Sequence, residues 1–265
     1  MTSFVLIPGA GGSAWYWHRV VPLLRAAGHE AAAVDLPGDD EAAGLPEYAG
    51  LVAGAIGGRG DVVLVAQSLG GFTAPLAAAR APVAALVFVN AMIPVPGETP
   101  GAWWDNTGWE LARVAAARRG GYPAEFDLAT YFLHDVPPDV AAAGEPYQRP
   151  EADVVFGSVC DFGGWPPVPL RAVAGSGDRF FPAGFQQKVA ADRLGVAADL
   201  LPGGHLIALS RPVSRRTTVR STSDSSPPIC ATKWLSTASV SPPPASASRI
   251  RPALYSSRLA VAVYR

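Results

Sequence analysis

Apolar residues along this chain fall into two kinds of run. Phe4 to Ile7, Glu30 to Leu36, Val62 to Ala66, Val83 to Asn90, Arg171 to Ala174 and Ala197 to Leu201 are short and continuous, with the β-branched or small residues of strands buried on both faces. Between them, Trp15 to Ala27, Leu45 to Ile56, the alanine-rich stretch after Leu69, and Phe185 to Leu194 carry helical spacing. Strands alternating with helices predict an α/β fold: a mostly parallel sheet of about six strands with helices on both faces. From Pro94 to Pro167 the alternation stops. That stretch holds Trp103, Trp104, Trp109, Tyr122, Phe126, Tyr131, Phe132, Tyr147 and Trp165 among several Pro and Gly, and it predicts a helical cap inserted over one sheet edge. The expected organisation is a core of residues 1–93 and 168–211, a cap of 94–167, and an atypical segment of 212–265.

The last segment breaks the pattern. All 28 glycines precede residue 212, whereas serine rises from 6 in the first 211 residues to 12 in the remaining 54. Residues 1–211 hold 13 Lys+Arg and 21 Asp+Glu, and residues 212–265 hold 8 and 1, so net charge moves from −8 to +7. Ser/Pro/Arg-rich sequence of this kind cannot bury enough apolar surface to fold alone. Two readings stand: a natural disordered basic tail, or a reading frame shifted after about Pro212, where a closing amphipathic helix is expected.

Composition narrows the function. Net charge −1 and 49% hydrophobic residues, with no basic stripe in the globular part, exclude a nucleic-acid-binding role. No apolar run reaches membrane-spanning length, and MTSFVLIPG lacks a charged region followed by an apolar one, so the expected location is the cytoplasm. Cys160 and Cys230 form neither a disulfide framework nor a metal-ligand spacing, and no metal or cofactor is expected.

The chemistry gathers around Asp61 to Phe72, DVVLVAQSLGGF. A buried strand, a serine flanked by Ala66 and Gly70, and a helix opening on Leu69 describe a sharp turn that lifts a hydroxyl above the sheet edge. Ser68 is then a candidate nucleophile, where an ordinary serine capping a helix is the plain alternative. A serine needs a base, and the base an orienting acid. Asp178 in GSGDRFFP and His205 in PGGHLIALSRP each follow the end of a strand, in the order serine, acid, histidine. The glycine-rich turn PGAGGSAWYW lacks the lysine of a phosphate loop and the full dinucleotide fingerprint. It suits an oxyanion hole, with Ala10 N–H as one donor and Leu69 N–H as the second. Asp35 precedes the serine and suits a turn-fixing role, and His18, His29 and His134 read as structural. Trp103, Trp104, Trp109 and Phe132 are candidates to line an apolar pocket.

FVLIPGAGGSAWYWHRVVPLLRAAGHEAAAVDLPG, VVLVAQSLGG, VFVNAMIP, AGSGDRFFP and LPGGHLIALSRP together resemble the α/β-hydrolase superfamily, in the cap-bearing esterase branch of plant methylesterases and hydroxynitrile lyases. The resemblance runs from Phe4 to about Pro212. It implies Ser68 as nucleophile, Asp178 as acid, His205 as base, Ala10 and Leu69 as oxyanion donors, and a small ester as substrate. Pro8 stands where that branch carries a histidine, Gly9 where the lyases carry a threonine, and Leu206 where they carry a lysine. Without that cation the lyase reaction is disfavoured, leaving serine hydrolysis of an uncharged, apolar carboxylic ester. The alternative is a non-catalytic small-molecule binder, or an inactive product of a damaged C-terminus. Oligomeric state is not legible.

Overall fold

The computed structural model describes residues 1–212; the readings made for the Ser/Pro/Arg-rich segment, and Cys230 with it, lie outside the described residues. Six strands form one sheet: β1 (Ser3–Ile7), β2 (Glu30–Ala33), β3 (Val62–Gln67), β4 (Ala85–Val89), β5 (Leu170–Gly175) and β6 (Ala198–Leu201). Their order is β2-β1-β3-β4-β5-β6, and every pairing is parallel. The registers Ile7↔Ala66, Ala66↔Phe88 and Gly175↔Leu201 bring the carboxyl ends of the strands to one edge. In such a sheet the crevice lies where the strand order reverses, here between β1 and β3.

Side-chain alternation divides the core into two layers. Val5, Ile7, Leu64 and Phe88 face one side, covered by α2 (Leu45–Ile56), α3 (Gly70–Ala78) and α8 (Ala183–Leu194). Phe4, Leu6, Val63, Val65 and Val87 face the other, against a 3₁₀ turn (Ala14–Trp17), α1 (Val21–Ala26) and α9 (Ile207–Ser210). The helix expected over Trp15 to Ala27 is thus two pieces. Pro22 has no N–H to give His18, so it is accommodated only in the first turn of a new helix. β2 is shorter than the run Glu30 to Leu36 because the chain peels from the edge. Val34 N–H still donates to Leu6 O at 3.0 Å, but Leu36 N–H turns to Gly12 O at 2.8 Å.

Between β4 and β5 the chain adds α4 (Pro100–Thr107), α5 (Trp109–Gly120), a π-helical turn (Ala129–Leu133), α6 (Pro138–Gly144), a 3₁₀ turn (Glu145–Tyr147) and α7 (Asp153–Gly157). Its near end is tied to α8: Glu98, buried, pairs with Arg193, whose Nη2 lies 3.0 Å from Glu98 Oε1 and whose Nη1 donates to Ile93 O at 2.8 Å. Its stretch between the second 3₁₀ turn and α7 is tied to the loop after β2, where Arg149 forks onto Asp35 at 3.0 and 3.2 Å. The buried Cys160 thiol donates to Phe72 O at 3.3 Å, and burial pushes its pKa up to about 12.

Candidate active site

β3 ends at Gln67 and α3 begins at Gly70, which leaves two residues to reverse the chain. Ser68 takes φ +49°, a left-handed conformation that a side chain rarely adopts. Gly71 N–H and Met92 N–H hold its carbonyl at 3.0 and 2.9 Å. The turn needs small neighbours: a Cβ on Gly70 would stand 2.4 Å from Pro8 O, and one on Gly71 only 2.1 Å from Met92 O.

The loops after β5 and β6 deliver the partners. His205 Nε2 lies 3.1 Å from Ser68 Oγ, and His205 Nδ1 lies 2.9 Å from Asp178 Oδ2. A carboxylate only accepts, so in neutral imidazole Nδ1–H donates to Asp178 and Nε2 is left to accept the serine proton. All three groups are nearly enclosed, with Ser68 8% exposed, Asp178 5% and His205 1%. A buried carboxylate requires donors. Asp178 Oδ1 accepts the Phe180 and Phe181 N–H groups, each at 2.8 Å, and Oδ2 also accepts from Gln186 Nε2 at 3.2 Å.

Asn90, at the end of β4, anchors the histidine loop. Fully buried at φ +45°, it donates through Nδ2 to Gly204 O at 3.0 Å and to His205 O at 2.9 Å, while its Oδ1 accepts Gly175 N–H at 2.7 Å. Asp135 adds a bond from the insertion, accepting Gly204 N–H at 2.7 Å. Sequence reasoning missed both residues. Asn90 lay inside an expected strand, and its partners lie 85 to 115 residues away. An Asn at a strand end on the same edge as Ser68 was the one signal present.

Ala10 sits in the turn after β1, on the same cavity as Ser68, and Leu69 follows Ser68 at the start of α3. Among the described residues no protein acceptor takes either N–H. The cavity encloses about 310 Å³. Phe132, from the π-helical turn, lines it and stacks on the His205 ring, centroids 4.8 Å apart at 19°. Trp103, Trp104 and Trp109 do not line it, which corrects the expectation for those three. Trp103 is fully buried, its Nε1–H on Ile93 O at 3.0 Å, and it packs with Trp104 on Phe181; Trp109 donates to Phe180 O at 2.7 Å. From the insertion's own helices α4 and α5 their apolar surface packs on the core, and the indole N–H groups of Trp103 and Trp109 find carbonyls there. Aromatic lining comes instead from Trp15, Tyr16 and Tyr147.

The remaining candidates lie elsewhere. Asp35 accepts Ala14 N–H at 2.9 Å and pairs with Arg149. His18 stacks on Trp15, His29 packs edge-on to Phe4, and His134 is held below the usual histidine range by burial and by the Arg179 charge. Among the described residues no helix is long and apolar enough to cross a membrane.

The chain is similar to known proteins in sequence and in fold. The chain is 43% identical over 112 residues to probable esterase PIR7A of Oryza sativa, covering 37% of this chain and 42% of that one. It is 40% identical over 104 residues to methylesterase 7 of Arabidopsis thaliana, covering 34% and 40%. The chain therefore spans about two fifths of the length of these curated relatives. Among solved structures, polyneuridine aldehyde esterase superposes with a TM-score of 0.64 at 21% identity, over 80% of this chain and 95% of that one, a likeness of fold. The model of the alpha/beta hydrolase family matches residues 4–215, and the chain belongs to that family.

Proposed function

We propose that the protein is a serine hydrolase that cleaves a small, uncharged carboxylic ester through an acyl-enzyme. The observation that carries this reading is the unbroken hydrogen-bond chain Ser68–His205–Asp178, opening on a cavity, with the serine held at φ +49°. His205 Nε2 takes the hydroxyl proton as Ser68 Oγ attacks the ester carbonyl. Ala10 and Leu69 N–H receive the oxyanion. Protonated His205 passes its proton to the leaving alcohol, and water repeats the sequence to release the acid. Asp178 fixes the tautomer and stabilises the transient imidazolium. The esterase and methylesterase names of the similar proteins support ester bonds as the target.

The cavity supports an apolar substrate. Trp15, Leu128, Phe132, Leu133, Val140 and Leu209 supply its walls, and its volume sits at the low end of small-molecule sites, about 300–1,000 Å³. Arg149 and Glu151 also border it, but each is engaged with protein groups. The insertion acts in this reading as a cap over the acyl or alcohol group. The test is p-nitrophenol release from a short-chain p-nitrophenyl ester by the full-length chain and by Ser68→Ala, with fluorophosphonate labelling of both. Turnover and labelling that vanish in Ser68→Ala are expected. Turnover that persists without Ser68, or a folded native chain that neither turns over nor labels, would overturn the proposal.

A further inference from the structure

The turn that carries Ala10 is glycine-rich, and such a turn is free to adopt many conformations unless it is held. Gly9, Gly11 and Gly12 surround Ala10, and Gly11 and Gly12 take φ +79° and +67°. The ends of this turn are fixed locally: Gly12 N–H donates to Gly9 O at 3.0 Å, and Gly12 O accepts from Leu36. Its centre is fixed from 140 residues downstream. Glu151 Oε2 accepts Gly11 N–H at 2.5 Å. Glu151 Oε1 accepts the Tyr48 hydroxyl at 2.8 Å, and Tyr48 is itself buried in α2. Arg149 Nε donates to Gly11 O at 3.0 Å while its guanidinium rests on Asp35. A Cβ on Gly11 would stand 2.5 Å from Arg149 O, so the backbones are pressed together as well.

Gly11 is thereby gripped at its N–H, its C=O and its Cα. Its N–H belongs to the Ala10–Gly11 peptide, whereas Ala10 N–H belongs to the Gly9–Ala10 peptide, whose carbonyl is held by Gly12 N–H; with the planes on both sides of Ala10 held, the direction of its N–H is fixed. Building on the ester-hydrolase reading, we infer that Glu151, with Arg149 beside it, is a positioning residue for acyl transfer: from the insertion it locks the glycine turn so that Ala10 N–H meets the oxyanion preorganised. The burial of Glu151 fits this role. Desolvation pushes its carboxyl above the ordinary range, against the bonds from Tyr48 and Gly11 and the Arg149 charge. A carboxyl kept in such a place is disfavoured by its surroundings and is held there by the bonds it makes.

The test uses the full-length chain and follows the native control above, because lost Ser68-dependent turnover in the native chain would overturn ester hydrolysis and this inference together. Glu151→Ala is expected to lower kcat about 10- to 100-fold with KM little changed, as for a donor displaced by a fraction of an ångström to an ångström. Affinity for a trifluoromethyl ketone, whose Ser68 adduct places an oxyanion in the same hole, should fall by the same factor. Glu151→Gln keeps an oxygen for Gly11 N–H and should recover most of the loss. If Glu151→Ala does not fold, Arg149→Met removes the grip on Gly11 O and carries the same expectation. The inference is overturned if kcat per fluorophosphonate-titrated site stays native while only the fraction of titratable protein falls, or if Gln and Ala lose alike with ketone affinity unchanged.

Discussion

Replacing Asn90 by alanine strips three bonds from the seam between β4, β5 and the histidine loop. Gly204 O, His205 O and Gly175 N–H lose a partner at 3.0, 2.9 and 2.7 Å, and Asn90 is wholly buried, so bulk water does not replace it. At the lower bound of about 1 kcal/mol for each buried group left unpaired, the loss is about 3 kcal/mol. Asn90 already bears a Cβ at φ +45°, so alanine adds no new crowding there. The loss of about 3 kcal/mol corresponds to a fall in Tm of about 6–12 °C for a domain of this size. Asn90→Gly loses the same bonds without the left-handed penalty and should lie about 1 kcal/mol closer to native. His205 keeps its bond to Asp178 but not its carbonyl anchor, and kcat should fall about 10²-fold if the imidazole moves by about 1 Å. Urea unfolding followed by tryptophan fluorescence gives the first quantity, and turnover per titrated serine the second. An Asn90→Ala protein within about 1 kcal/mol of native stability would refute the anchoring argument.

Three further outcomes follow from the packing. Gly71→Ala places a methyl 2.1 Å from Met92 O and should cost about 1–3 kcal/mol or more in thermal unfolding, since backbone rather than a flexible side chain has to yield. Trp103→Phe loses the bond to Ile93 O and should destabilise by about 1 kcal/mol with KM unchanged, whereas Phe132→Ala, which removes the ring stacked on His205, should alter both KM and kcat; the reverse pattern in steady-state kinetics would return the pocket to the tryptophans. The folded Glu151 carboxyl, raised mainly by burial, holds its proton more tightly than the unfolded chain does. Its contribution to stability is therefore greatest below the unfolded value and is lost as pH rises through the folded value. Glu151→Gln should flatten the stability–pH slope in that weakly acidic window, and identical slopes would refute the assignment.

Legibility in the sequence followed the range of the forces involved. Helix α2 was readable to its ends, Leu45–Ile56, because Pro46 opens it, Gly57 closes it and its apolar spacing is local. The strands were readable because burial on both faces leaves continuous apolar runs. Placing Ser68, Asp178 and His205 just past three strand ends required only the rule that parallel strands share one carboxyl edge. Side-chain direction inside the insertion was not readable. Trp103 and Phe132 look alike in sequence, and only the packing of α4 on Phe181 against the π-helical turn on His205 separates them. Asn90 and Glu151 were invisible for a related reason: what they hold is backbone, at Gly204 and Gly11, and a backbone acceptor or donor leaves no mark in the identity of its residue.

The way the insertion is fastened has a consequence for traffic through the site. Glu98 and Arg193 bolt its first root to α8, Trp165 Nε1–H bolts its last to Arg193 O at 3.0 Å, and Arg149 ties the stretch before α7 to Asp35 in the loop after β2. A flap hinged at one end swings open; a span bolted at both ends does not. Admission then depends on the rotamers of rim side chains such as Tyr147 and Leu128, which turn over in picoseconds to nanoseconds, rather than on a slow door. On the ester-hydrolase reading such a site acts as a sieve that sorts molecules by girth, and the rate of ligand association is expected to climb in proportion to concentration without reaching a plateau.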